Sequence, residues 1–106
     1  MRSNKNQDES KRSALPRSCD FTKSFVKDWE RLNKSGRFNM KQLKTALLLL
    51  VANDATLGPE WLDHPLKGEW SDHRECHIGG DFLLIYQIDG NFVRSTRAGT
   101  HSELFE

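Results

Sequence analysis

Apolar residues recur at Phe21, Phe25, Trp29 and Leu32, an i, i+4, i+8, i+11 stripe that a 3.6-residue period gathers on one side of a helix. The spacing predicts a short entry strand or extended piece near Ser18, then a helix over about 22–33. Lys23, Lys27, Arg31 and Lys34 repeat the same spacing on the opposite side. They read either as a solvated helix face or as a surface turned towards phosphates. SGRFN interrupts the pattern. Met40, Leu43, Leu47 and Leu50 then predict a second helix over about 39–53, with Leu48, Leu49 and Val51 widening its apolar surface into a largely buried C-terminal half. Helices joined by so few residues are expected to lie antiparallel. DATLGPEWLDHPLKG follows neither period and reads as one long loop, of the kind that often carries function. From Trp70 the period changes to two. SDHRECHI, DFLLIYQI and NFVRSTRA are strand-like runs separated by Gly79–Gly80 and Asp89–Gly90, both hairpin signals.

These elements make one α+β domain over residues 18–106, preceded by a polar, basic arm over 1–17 that is expected to be disordered. Two antiparallel N-terminal helices are expected to cover one face of a small antiparallel sheet, leaving the other face open for a polar site. Strand register decides which residues share that second face. Three-residue loops at both hairpins would pair Ile88 with Phe92, Leu83 with Arg97, and His77 with Leu83. That choice sorts polar from apolar best. His77, Asp81 and Arg97 then lie on one face, and Cys76, Ile78, Phe82, Leu84, Tyr86 and Phe92 on the other, under the helices.

Charge adds little globally, since the net charge is +1. Five basic residues lie in 1–17 against Asp8 and Glu9, so the domain itself is slightly acidic and any nucleic-acid site must be a local patch. No segment resembles a signal peptide, and the longest apolar run, ALLLLVA, falls far short of the roughly 20 residues that span a bilayer. A soluble cytoplasmic protein without membrane contact is expected, with Cys19 and Cys76 reduced and buried. HRECH offers two histidines four apart, but on a strand they are about 13 Å apart and cannot share a zinc ion. No metal and no cofactor is expected. What remains is an acid–base set with a fixed cation. Metal-free RNA cleavage needs a base for the 2′-hydroxyl, an acid for the 5′-oxygen and a cation on the phosphate. Histidine titrates near neutrality, arginine matches phosphate with a planar fork, and an aromatic ring stacks on a base. The closing segment RAGTHSELFE supplies Arg97, His101 and Phe105 at spacings of four.

LDHPLKGEW, RECHIGGDFLLIY and RAGTHSELF together resemble, in order and spacing, the YafQ branch of the RelE superfamily of bacterial toxins, over about residues 62–105. The resemblance implies a ribosome-dependent mRNA endoribonuclease, the toxin of a type II toxin–antitoxin pair, cutting mRNA in the 30S A site without metal. Carried over by position, the family's site falls on His64, His77, Asp81, Arg97, His101 and Phe105. His101 would be the general acid, Asp81 with His64 or His77 the base or its orienter, Arg97 the cation on the phosphorane, and Phe105 a support for a nucleobase. The product would be a 2′,3′-cyclic or 3′-phosphate. The expected partners are an antitoxin in a hetero-oligomer, the ribosome and mRNA, and operator DNA reached through the antitoxin. Lys23, Lys27, Arg31 and Lys34 would face ribosomal RNA. Arg74 and Glu75 read as structural ion-pair formers. Gly80 stands where many relatives carry proline, Phe82 where some carry tryptophan, and Ala98 where threonine is commoner. A non-catalytic binding module on the same fold is the competing reading, since fold alone does not carry activity.

Overall fold

Two polar side chains start the helices. Thr22, in extended backbone, accepts the Phe25 N–H at 2.9 Å, and Asn39 accepts the Gln42 N–H at 2.9 Å. In the computed structural model, which describes residues 15–105, the order is β1 (Ser18–Phe21), α1 (Lys23–Ser35), α2 (Met40–Ala52), β2 (His64–Pro65), β3 (Arg74–Gly79), β4 (Phe82–Ile88), β5 (Phe92–Thr100) and α3 (His101–Phe105). Short 3-10 turns fall at Pro59–Trp61 and Gly68–Trp70. The arm expected to be disordered lies, up to residue 14, outside the described residues. Its last residue, Arg17, is buried: its backbone N–H donates to the Val51 carbonyl and its guanidinium to the Leu50 carbonyl, both at the end of α2.

The five strands run in the order β1-β5-β4-β3-β2. The sheet is mixed rather than wholly antiparallel, because β1 pairs with β5 in parallel, Ser18 against Phe92 through Phe21 against Ser95. The segment expected to be one long loop contains β2, which sets His64 opposite Glu75 and Pro65 opposite Arg74. An unperiodic sequence can still add two residues to a sheet edge, where backbone pairing does not depend on side-chain pattern.

Bulges explain how the register departs from expectation. At the β4–β5 hairpin Ile88 faces Val93, not Phe92, and the Asp89 N–H closes a tight turn on the Phe92 carbonyl at 3.0 Å. A register shift then leaves Thr96 unpaired and brings Arg97 opposite Ile85 rather than Leu83. His77 does face Leu83, but through a shift that skips Ile78, with Gly79 opposite Phe82. Gly80 turns the chain at φ 53°, a left-handed conformation that favours glycine and is closed to proline.

Cys76, Ile78, Phe82, Leu84, Tyr86, Val93 and Ala98 form the sheet side of the main core, against Phe25, Leu32, Leu43, Ala46, Leu47 and Leu50 from the helices. Val93 takes the place expected of Phe92. Each fully buried aliphatic side chain contributes about 1.5–3 kcal/mol of apolar burial. The opposite face is not bare. Leu83 and Ile85 are buried there beneath Leu104, with Leu66, Trp70 and Phe105 around them. Among the described residues no helix is long and apolar enough to cross a membrane.

Three apolar expectations need correction. Cys19 is exposed, whereas Cys76 is buried and its thiol is pushed up chiefly by desolvation. Leu48 and Leu49 point outwards, at 68% and 39% exposure. Phe21, at the end of β1, is 51% exposed. Together with Phe25, Val26, Trp29, Leu47 and Val51, Leu48, Phe21 and Cys19 line an apolar groove of about 610 Å³ with Lys44 at its wall.

Candidate functional site

Strand pairing lays out the second face in rows. His64, Glu75, Ile85 and Arg97 follow one another across β2, β3, β4 and β5, and His77, Leu83 and Gly99 form the next row. At about 4.8 Å per strand, the ends of the first row lie roughly 14 Å apart in backbone. The groups expected to act together therefore fall into two clusters flanking a buried apolar floor of Leu83, Ile85 and Leu104.

The first cluster gathers on Glu75. His64 Nε2 and His77 Nε2 each lie 3.5 Å from Glu75 Oε2, and the two rings stand 6.5 Å apart. His64 Nδ1 is 2.7 Å from the Leu62 carbonyl. A carbonyl only accepts, so Nδ1 is the donor in this contact and Nε2 is the nitrogen turned towards Glu75. Glu75 is buried, while both imidazoles are partly open to solvent. From sequence, Glu75 reads as a structural ion-pair former. It does pair, but with the two histidines, and only the unforeseen β2 brings His64 beside it.

Behind this cluster a buried network fixes the approach to His64. Asp63 accepts from Arg74 Nε at 2.6 Å and from the Tyr86 hydroxyl, with both partners on the sheet. Burial, reinforced by the Asp63 hydrogen bond, pushes the Tyr86 hydroxyl far up, so it stays a donor. Arg74 thus has the structural role expected of it.

The second cluster sits on the closing turn. Asp81 Oδ1 accepts the His101 backbone N–H at 3.1 Å, which ties the β3–β4 turn to the first residue of α3. The His101 ring lies 4.9 Å from the Phe105 ring, and Phe105 is edge-on to Trp70 at 6.4 Å, which is edge-on to His73 at 5.1 Å. His101 is exposed and Phe105 half-buried, so an aromatic row borders the face. Trp70 was not singled out from sequence.

Arg97 is already partnered. Its Nε and Nη2 donate to Asp28 of α1 at 2.7 and 3.1 Å, leaving Nη1 outside this pair. Asp28, 3% exposed, also accepts from the Ala98 N–H at 3.0 Å and from Arg31 at 2.8 Å. Beyond Ser95, where β1 ends, it supplies the acceptor that a longer β1 would have supplied. Burial acts to raise its pKa, but hydrogen bonds from Arg97, Arg31 and Ala98 outweigh that and hold the carboxyl below its ordinary value. No local pattern reveals Asp28 as a partner of Arg97, 69 residues away.

On α1, Lys23, Lys27 and Lys34 are exposed, as the stripe predicts. Arg31 differs from them, because it pairs with Asp28 and Glu103. Among the described residues, no group of three or more His, Cys, Asp or Glu is arranged to hold a metal ion.

The family described as "Bacterial toxin of type II toxin-antitoxin system, YafQ" matches residues 17–106. The chain is 33% identical over 91 residues to mRNA interferase toxin YafQ of Escherichia coli K12, covering 86% of this chain and 98% of that protein. Its fold superposes on the crystal structure of the Escherichia coli DinJ–YafQ toxin–antitoxin complex with a TM-score of 0.76 at 33% identity, over 87% of this chain and all of that one. A metal-bound toxin from Helicobacter pylori is 43% identical with a TM-score of 0.69, over 83% of this chain and 98% of that one.

Proposed function

The chain belongs to the YafQ toxin family of type II toxin–antitoxin systems, and on that premise we propose that it is an mRNA interferase that cuts mRNA on the ribosome by side-chain acid–base chemistry. The convergence of His64 and His77 on the buried Glu75 carries the reading, because a binding surface has no use for two imidazoles sharing one carboxylate. One imidazole of this set takes the 2′-hydroxyl proton. The 2′-oxygen attacks the adjacent phosphorus, the P–O5′ bond breaks, and His101 returns a proton to the 5′-oxygen, leaving a 2′,3′-cyclic phosphate. Arg97 offers Nη1 to the non-bridging oxygens, while Asp28 fixes the plane of its guanidinium. Asp81 acts through its hold on the His101 backbone rather than as the base. Phe105, backed by Trp70, supports a nucleobase. Two solved relatives, both toxins from Helicobacter pylori, are metal-bound, one of them to copper; among the described residues here no group of three or more His, Cys, Asp or Glu is arranged to hold a metal ion.

Lys23, Lys27 and Lys34 are the cations on α1 left to meet ribosomal RNA. Changing all three to alanine should weaken ribosome binding and flatten its salt dependence in a sedimentation series, by about 0.7–0.9 in slope per lost phosphate contact. An unchanged slope returns them to a solvated face.

The partner is an antitoxin, as in the DinJ–YafQ complexes of the relatives. The apolar groove beside α1 and α2 suits an apolar segment of such a partner, because Leu48, Phe21 and Val26 stand exposed around it with Lys44 to meet an acidic flank. Induced expression should arrest bacterial growth, and the cognate antitoxin should relieve the arrest. The double change Val26→Glu, Leu48→Glu should raise the antitoxin Kd by at least about 100-fold, the loss of two apolar contacts, while leaving toxicity intact. Full relief by the antitoxin in that variant would remove the groove from the interface.

A further inference from the structure

The residues proposed as acid and base support, His101 and Phe105, ride on α3, a helix of five residues at the end of the described chain. So short a helix does not order itself. Its first turn is held by a reciprocal cap: the Glu103 carboxylate accepts the Thr100 N–H at 2.8 Å, and the Thr100 hydroxyl accepts the Glu103 N–H at 3.3 Å. The same Glu103 oxygen meets Arg31 Nη2 at 3.2 Å, and Arg31 reaches on to Asp28 at 2.8 Å and to the Ala98 carbonyl at 3.4 Å. Asp28 in turn holds Arg97. A continuous line of charge-assisted bonds thus runs from the buried Asp28 to the closing turn. Gly99 makes room for it: a Cβ there would lie 2.6 Å from Glu103 Oε1 and 3.1 Å from Arg31 Nη2.

We propose that Glu103, clasped by Arg31, is a positioning residue that sets the placement of His101 and Phe105 relative to Arg97. The inference rests on the nuclease reading and gives Arg31 a role different from that of the three lysines on its helix. The exposed ion pair alone contributes little in water, Arg31 and Glu103 being 43% and 36% exposed. Its effect lies in direction, because it holds the carboxylate on the Thr100 N–H, immediately before α3. Glu103→Ala should therefore weaken the turn more than Arg31→Gln does.

Two readouts decide it. Single-turnover cleavage on programmed ribosomes should fall about tenfold in Glu103→Ala, the scale of one lost cap, with the ribosome concentration at half-maximal rate changed less than about twofold. Glu103→Gln, which keeps a carbonyl acceptor, should recover most of the rate, and Gly99→Ala, which displaces the carboxylate, should resemble Glu103→Ala. In the free protein, the amides at positions 100 and 103 of Glu103→Ala, the two that the reciprocal cap holds, should exchange with solvent at least several-fold faster, while those of β4 are unchanged. Looser amides with an unchanged cleavage rate, or a change only in ribosome affinity, would overturn the positioning role. Unchanged amides would overturn the clasp itself. If the unaltered protein cuts nothing, the nuclease reading and the positioning role fall together, and the exchange rates then judge the clasp alone.

Discussion

Replacing Asp28 by alanine is expected to lower stability by about 3–5 kcal/mol, the range for breaking a buried ion pair by removing one partner. The carboxylate is 3% exposed and receives four hydrogen bonds, two from Arg97 and one each from Arg31 and the Ala98 N–H. Alanine leaves the Ala98 N–H without an acceptor and the Arg97 guanidinium without its counter-charge, and leaves Arg31 with Glu103 alone. Asparagine keeps the shape and one acceptor but not the charge, and should fall between. Urea unfolding of the three proteins at neutral pH checks the order. The same residue sets an acid limit. Its folded pKa is held below the ordinary value, so its stabilisation is complete above the unfolded value of 3.8 and is lost as pH falls through the folded value. Native protein should therefore lose stability steeply in strong acid, and Asp28→Asn should flatten that loss. Equal acid slopes in the two proteins would contradict the assignment.

The second large effect is chemical. His101→Gln should lower cleavage by about 10²–10⁴-fold, the usual worth of a positioned general acid, with stability changed by less than about 0.5 kcal/mol, as for an exposed side chain. The hydrogen bond that ties His101 to the fold runs through its backbone N–H to Asp81, and the substitution keeps it. Antitoxin affinity should also be unchanged, because the proposed groove is lined by β1, α1 and α2 rather than by the closing turn. Thermal unfolding and antitoxin titration of the inactive protein check both points. A parallel loss of antitoxin binding would move His101 out of the chemistry and into the interface.

Local periodicity made the helices and three of the strands legible. Phe25, Leu32, Leu43, Leu47 and Leu50 are buried where their spacing puts them. The family resemblance rests on three separated motifs, and the family match over residues 17–106 agrees with it. What periodicity misses is non-local. Pairing of β1 with β5 joins residues more than 70 apart, and β2 is two residues long, too short to show a period. Two bulges allowed His77 to reach its expected partner by an unexpected turn and moved Arg97 by two residues along β4. Leu48, Leu49 and Phe21 read as core because they are apolar, yet they stand exposed, Leu48 and Phe21 on the groove proposed to meet the antitoxin. Within the site, residue types at motif spacing point to His64, His77 and Arg97, whereas the carboxylates that hold them, Glu75 for the two histidines and Asp28 for Arg97, follow only from the folded geometry. The capping box THSE around Glu103 was nonetheless readable from sequence, as Thr-x-x-Glu at the start of a short helix.

The most direct test is in vitro translation of a defined mRNA with the purified protein, with and without ribosomes, followed by primer extension. The account predicts discrete cuts within codons that appear only when ribosomes are present, end in a cyclic or 3′-phosphate, and disappear with His101→Gln. A folded protein that leaves the message intact on translating ribosomes, or cuts it equally well after loss of His101, would contradict it.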